Sequence, residues 1–255
     1  MESRQAALPR TNALTLSAEA VRKSGRVLFA FSSFYLPAYD LPADFMFSRY
    51  DVFGYLSAAI YEIDEQVEVG ASYHKAANQL DTLAGYLAER IRIDAKIESL
   101  FEDAKEYYRF EDRVLGRDAF DFSDVIANAS RRSFDFRLMH RALVQLKAWD
   151  YDELLFDWFR KFEMKMEVED DLQSFDEDLT RGTFNTACLV ARVAGGSAPA
   201  LVEAYREELD EGIEKGLRTL SEAQKQRCGG VLSRYREIVP RPLTPSLSGN
   251  REHHR

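Results

Sequence analysis

A chain of 255 residues with 45% apolar, 30% charged and 12% aromatic side chains can bury a sizeable core, which excludes a disordered tail or a disulfide scaffold. Its net charge of −9 runs against a phosphate-backbone binder, whose affinity comes from clustered Lys and Arg, so nucleic acid is not an expected partner. The two cysteines, Cys188 and Cys228, lack CxxC spacing and suggest neither a zinc site nor a disulfide framework, and the expected location is the reducing cytoplasm. No run approaches ~18 consecutive apolar residues, so no transmembrane segment is expected. The N-terminus lacks the apolar stretch of a secretory signal. Its basic residues Arg4, Arg10, Arg22, Lys23 and Arg26, against Glu2 and Glu19, leave an organelle-targeting segment as an alternative.

Proline placement sets the fold class. All seven prolines lie outside the stretch from Ala43 to Ala198. Proline costs a helix interior about 3 kcal/mol, so a long proline-free stretch rich in Ala, Leu, Glu, Arg and Lys suits stacked helices. No Asn-Gly or Asp-Gly hairpin and no sustained period-two alternation competes with that reading. The expectation is an all-α single bundle of roughly 8–9 antiparallel helices around a central cavity, as one domain over residues 15–239 between tails at 1–14 and 240–255.

In chain order, helices are expected near 16–33, 49–69, 71–91, 93–110, 120–147, 150–180, 184–194, 198–220 and 221–238. Ser72, Ser123 and Ser197 are placed to cap them, and Gly70, Gly116, Gly182 and the Gly195–Gly196 pair to end them. On the second helix Phe53, Leu56, Ile60 and Val67 share a sector at 100° per residue; Asp64 falls inside it and Glu68 at its edge. On the sixth, Leu155, Phe159, Phe162 and Met166 define a sector that continues to Asp170, with Ser174 on its flank. Glu177 lies near that sector and Asp178 farther round, so periodicity does not choose among the last acids. A carboxylate on an inward face needs a cation, a metal or a water-filled cavity. Two such clusters suit hard divalent cations, Mg²⁺ above all, at one end of an apolar pocket.

The segment Asp170-Asp171-Leu172-Gln173-Ser174-Phe175-Asp176-Glu177-Asp178 resembles the second metal motif of class I terpene synthases. Ala58 to Glu68 resembles the first aspartate-rich motif of that superfamily, particularly its squalene and phytoene synthase branch. Arg234-Tyr235 is similar to an arginine–tyrosine pair with which bacterial members contact diphosphate. The resemblance implies Asp64, Glu65 and Glu68 as magnesium ligands on one wall and Asp170, Ser174 and Asp178 on the other. It implies Arg137, Arg234 and Tyr235 as diphosphate contacts. The implied enzyme is a Mg²⁺-dependent lyase or transferase of isoprenoid biosynthesis that ionises a prenyl diphosphate, followed by cyclisation or coupling of the carbocation.

Here the first motif carries Glu at two places where the family prefers Asp, and the second ends in Asp rather than Glu. These departures, with the short chain, define the alternative, a non-catalytic member of the same fold serving as a binding or scaffold protein. An unrelated helical interaction bundle is a third reading, and a homodimer is left open. Arg137 is equally explained by a salt bridge to Asp135 or to a metal-site acid. Phe53, Trp158, Phe159 and Phe162 read as core before cavity wall, and His74 and His140 as surface or structural histidines before bases.

Overall fold

The computed structural model describes residues 13–115, 119–181 and 184–239. Among them every regular element is helical, as the proline distribution predicts: α1 Ala18–Ala38, α2 Phe45–Ser48, α3 Tyr50–Glu68, α4 Tyr73–Ala88, α5 Ala95–Leu115, α6 Phe122–Ala129, α7 Phe134–Leu146, α8 Glu153–Gln173, α9 Phe175–Arg181, α10 Thr186–Ala194, α11 Ala198–Thr219 and α12 Glu222–Ile238. A 3₁₀ turn at Gly195–Ser197 joins α10 to α11.

Local chemistry explains most boundaries. Ser17 caps α1 by accepting from the Ala20 amide, and Asp152 caps α8 by accepting from Leu154 and Leu155. Asp121 and Asp124 form a capping box on α6, as Ser221 and Gln224 do on α12. Each such cap contributes about 1 kcal/mol. The α6 cap is therefore Asp121, not Ser123. Ser72 and Ser197 occupy their cap positions without making the side-chain bond. Gly70 ends the α3 region at φ +95°, a conformation that costs glycine nothing. The expected stops at Gly116 and Gly182 lie outside the described residues.

Two long expected helices are broken. The stretch 120–147 divides at residues 130–133, where Ser133 takes φ +51°. The stretch 150–180 is interrupted at the single residue Ser174, whose hydroxyl donates to Asp178 Oδ2 (2.5 Å) and lies 3.1 Å from the Asp170 carbonyl, while the backbone bonds Ser174 to Asp170 (3.0 Å) and Asp178 to Ser174 (2.9 Å) keep helical spacing across it. α1 runs five residues past its expected end and includes Pro37, and the short α2 was not expected. Leu14, assigned to a tail, packs on the core and donates its amide to the Tyr55 hydroxyl at 2.6 Å. The rest of the two expected tails, 1–12 and 240–255, lies outside the described residues.

The larger apolar cluster gathers α1, α3, α4, α5, α7, α8 and α12, and Phe53, Trp158, Phe159 and Phe162 are fully buried in it. A smaller one gathers α6, α10 and α11 against the far end of α8. One stretch, within Thr186–Thr219, reaches the length and mean hydropathy (1.2) of a membrane-crossing helix by composition. It consists of α10 and α11, interrupted by the 3₁₀ turn.

Candidate functional site

The two helices whose apolar stripes turn acidic face the same cavity, of about 980 Å³. α3 presents Ile60, Tyr61, Asp64, Val67 and Glu68; α8 presents Met166, Glu167, Asp170 and Gln173, and α9 adds Asp178. α1 contributes Lys23, Arg26, Val27, Ala30 and Phe34. α5 contributes Tyr107 and Glu111, while Arg132 enters from the α6–α7 turn and Asp135 and Phe136 from α7. Arg181, Cys188, Arg192 and Tyr235 complete the polar and aromatic wall.

The carboxylates are crowded: Glu111 is buried, Asp64, Asp135, Glu167 and Asp178 are half-buried, and Glu68 and Asp170 are open to solvent. Burial pushes Asp64 up to about 7, against the hydrogen bond it accepts from the Tyr108 hydroxyl and with the repulsion of Glu68. Burial likewise carries Asp135 to about 7, with Glu167 adding repulsion, and Glu111 to about 8 against a hydrogen bond from Tyr107. Asp170 is raised by burial and by Glu167. Glu167 on α8 thus acts on Asp64 of α3 and Asp135 of α7, so the walls sense each other across the cavity. Among these acids sits Arg132, whose Nε lies 2.9 Å from Glu167 and whose Nη1 donates to Asp171 at 2.5 Å.

The nine residues singled out from the sequence separate into two groups. Asp64, Glu68, Asp170, Asp178 and Tyr235 line the cavity. Glu65 does not: it lies on the α1–α3 seam, 3.1 Å from Lys23 Nζ and bonded by the Ser17 hydroxyl. Ser174 is bonded to Asp170 and Asp178 and capped by Asn185, whose Nδ2 donates to Asp178 at 2.9 Å. Arg234 is exposed on α12. Tyr235 presents its ring, because its hydroxyl donates to buried Glu169 at 2.6 Å.

Arg137 is a structural clamp. It is 4% exposed and donates to the carbonyls of Ser130 (2.8 Å), Arg131 (2.6 Å) and Arg132, with Glu163 at 3.7 Å rather than Asp135. It thereby fixes the turn that carries Arg132 into the cavity. Arg137→Met is expected to lower unfolding stability in urea by about 3 kcal/mol, since it leaves three turn carbonyls without their donor. Arg234→Ala is expected to change it by less than about 0.5 kcal/mol.

The two histidines behave as read: His74 is exposed, and buried His140 bonds to the Tyr39 hydroxyl at 2.6 Å.

Sequence reasoning missed Glu111, although α5 carries the same signal as α3 and α8. Its buried Ile97, Phe101, Ala104 and Tyr108 recur at three- and four-residue spacing and lead to that acid. Arg132 had no such signal, because it sits in a turn.

Hard oxygen donors suit magnesium, and repelling carboxylates with raised affinity for protons are what a divalent cation would neutralise. Among the described residues, however, no three Asp, Glu, His or Cys side chains converge on one point. Magnesium is usually held by one or two carboxylates plus phosphate oxygens and waters, which the pairs Asp64/Glu68 and Asp170/Asp178 can supply. Comparison of the chain with protein-family models, with curated proteins and with solved structures found no match.

Proposed function

We propose that this protein is a magnesium-dependent, class I terpene-synthase-like enzyme that ionises a prenyl diphosphate, the carbocation then cyclising or coupling in the apolar part of the cavity. The observation that carries this reading is the meeting of two acid-ended helices, α3 and α8, across one cavity that also has an apolar section at Val27, Ala30, Phe34, Ile60, Phe136 and Met166. Asp64 and Glu68 would hold the metal on one wall, and Asp170 and Asp178 on the other. Magnesium, when bound, supplies charge neutralisation at the leaving diphosphate. Arg132, held by Glu167 and Asp171, adds a fixed positive charge among the acids. Val27, Ala30, Phe34, Ile60, Phe136 and Met166 offer the hydrocarbon a wall poor in nucleophiles, which delays quenching by water.

The test is incubation with geranyl, farnesyl and geranylgeranyl diphosphate, with Mg²⁺ and with chelator, reading diphosphate release and the organic extract. Magnesium-dependent release with a discrete hydrocarbon or alcohol is expected from at least one substrate. A second reading, a non-catalytic binding or scaffold protein, is favoured by the absence of a three-acid cage among the described residues. No release from any substrate, with no magnesium-dependent rise in melting temperature, would establish it over the first.

A further inference from the structure

We infer that Asn185, which lies outside both resembled motifs, is a positioning residue for the second acidic wall: its side-chain amide holds Asp178 to the cavity beside Asp170. This rests on the magnesium reading above and adds to it a residue that touches neither metal nor substrate.

Asp178 needs a hold. It lies on the short α9, where Asp176, Glu177, Leu179 and Thr180 around it are exposed. Asp170 and Asp178 repel each other, which drives the two carboxylates apart before a cation arrives. Two donors on one oxygen oppose that: the Ser174 hydroxyl at 2.5 Å and Asn185 Nδ2 at 2.9 Å both reach Asp178 Oδ2. Ser174 sits one turn back on the same run of chain. Asn185 comes from the start of α10, so it is the donor that ties Asp178 to a separate element.

Asn185 is itself fixed. It is fully buried, and both ends of its amide are used. Oδ1 accepts from the Cys188 amide at 3.0 Å and so caps α10, while Nδ2 donates to the Asp171 carbonyl at 2.7 Å as well as to Asp178. Turning the amide over would set its oxygen against a carbonyl and a carboxylate, and its nitrogen against an N–H, so one orientation survives. The next residue extends the bracket: the Thr186 amide donates at 2.8 Å to Asp171 Oδ2, the oxygen that Arg132 also reaches at 2.5 Å. The start of α10 therefore fixes Asp178 and, through Asp171, Arg132. A carboxylate already oriented loses less rotamer freedom when metal binds, and removing such an outer partner weakens a metal site by about 10–100-fold.

The two ends of the amide let cap and hold be separated. Ser and Thr also cap helices well, but their hydroxyl stands one bond nearer the backbone than the Asn185 nitrogen. Asn185→Ser and Asn185→Thr therefore keep the cap and lose the donor to Asp178. Mn²⁺ titrations with inorganic diphosphate, followed by electron paramagnetic resonance, are expected to show uptake weaker by about tenfold or more in each variant, with cooperative thermal unfolding retained. Asp178→Asn should show a similar loss, and adding Asn185→Ser to it should cost less than about threefold more, because Asn185 acts through Asp178. A merely structural role predicts losses that multiply. Multiplying losses, uptake within about threefold of wild type in both Asn185 variants, or loss of cooperative unfolding in both would overturn the positioning role while leaving the magnesium reading intact. No uptake by the wild-type protein would overturn that reading and the role with it.

Discussion

Asp170→Asn and Asp64→Asn should each lower magnesium-dependent diphosphate release by about 100-fold or more, because each removes half of the carboxylate pair on its wall and the electrostatic stabilisation that depends on it. Both substitutions keep the shape of the side chain and remove one of a set of mutually repelling carboxylates, so melting temperature should be unchanged or higher. The double variant should lose little beyond either single one if the two walls grip one diphosphate, since residues that act as a unit are not additive. Glu65→Gln is the control. Its neighbour in sequence faces the cavity, but Glu65 pairs with Lys23 on the α1–α3 seam, so its loss should leave activity within about threefold and cost less than about 1 kcal/mol. Steady-state kinetics with thermal melts on the same preparations check both halves of the expectation.

The acids also give stability a defined pH dependence. Asp64 and Asp135 titrate near about 7 in the folded protein, and Glu111 and Glu163 near about 8, all raised first by burial. In the unfolded chain such groups lose their protons near pH 4. The folded protein therefore binds more protons than the unfolded chain between those values, so stability falls as pH rises towards 8. Buried His140 works in the opposite sense, its affinity for a proton being lowered by burial and by Arg141. Its contribution rises with pH up to the unfolded value near about 6.5 and is complete above it. Urea unfolding at pH 6.5 and at pH 8.5 should thus show a loss of about 1–3 kcal/mol at the higher pH. Asp64→Asn should flatten that slope, and saturating magnesium with inorganic diphosphate should do the same. Equal stability at the two pH values would mean that these carboxylates are already compensated.

Much of this arrangement is written in helical periodicity. The stripes through Ile60 to Asp64 and through Met166 to Asp170 do face one cavity, because an apolar sector that packs inward carries its next member inward too. Periodicity also disfavours two of the motif assignments. Neighbouring helical residues point about 100° apart, so Glu65 beside Asp64, and Arg234 beside Tyr235, were poorly placed to share a wall. Ser174 needed more than a helical wheel, since its hydroxyl is taken up by Asp178 at 2.5 Å and by the donor Asn185, neither of which periodicity shows. Arg137 was open to two solutions in an apolar context. Its placement follows from the turn at 130–133, where carbonyls without helical partners accept its guanidinium. The contact of Phe34, Phe162 and Tyr235 was beyond the sequence, because it depends on three rings from α1, α8 and α12 meeting.

The central claim is that the two acidic walls act together on divalent metal and diphosphate. Titrating Mn²⁺ in place of Mg²⁺ and following the free-ion signal by electron paramagnetic resonance tests it directly, with and without inorganic diphosphate. The account predicts Mn²⁺ uptake that tightens at least tenfold when diphosphate is present and that is lost in both Asp64→Asn and Asp170→Asn. Uptake that ignores diphosphate, or that survives both substitutions, would contradict it.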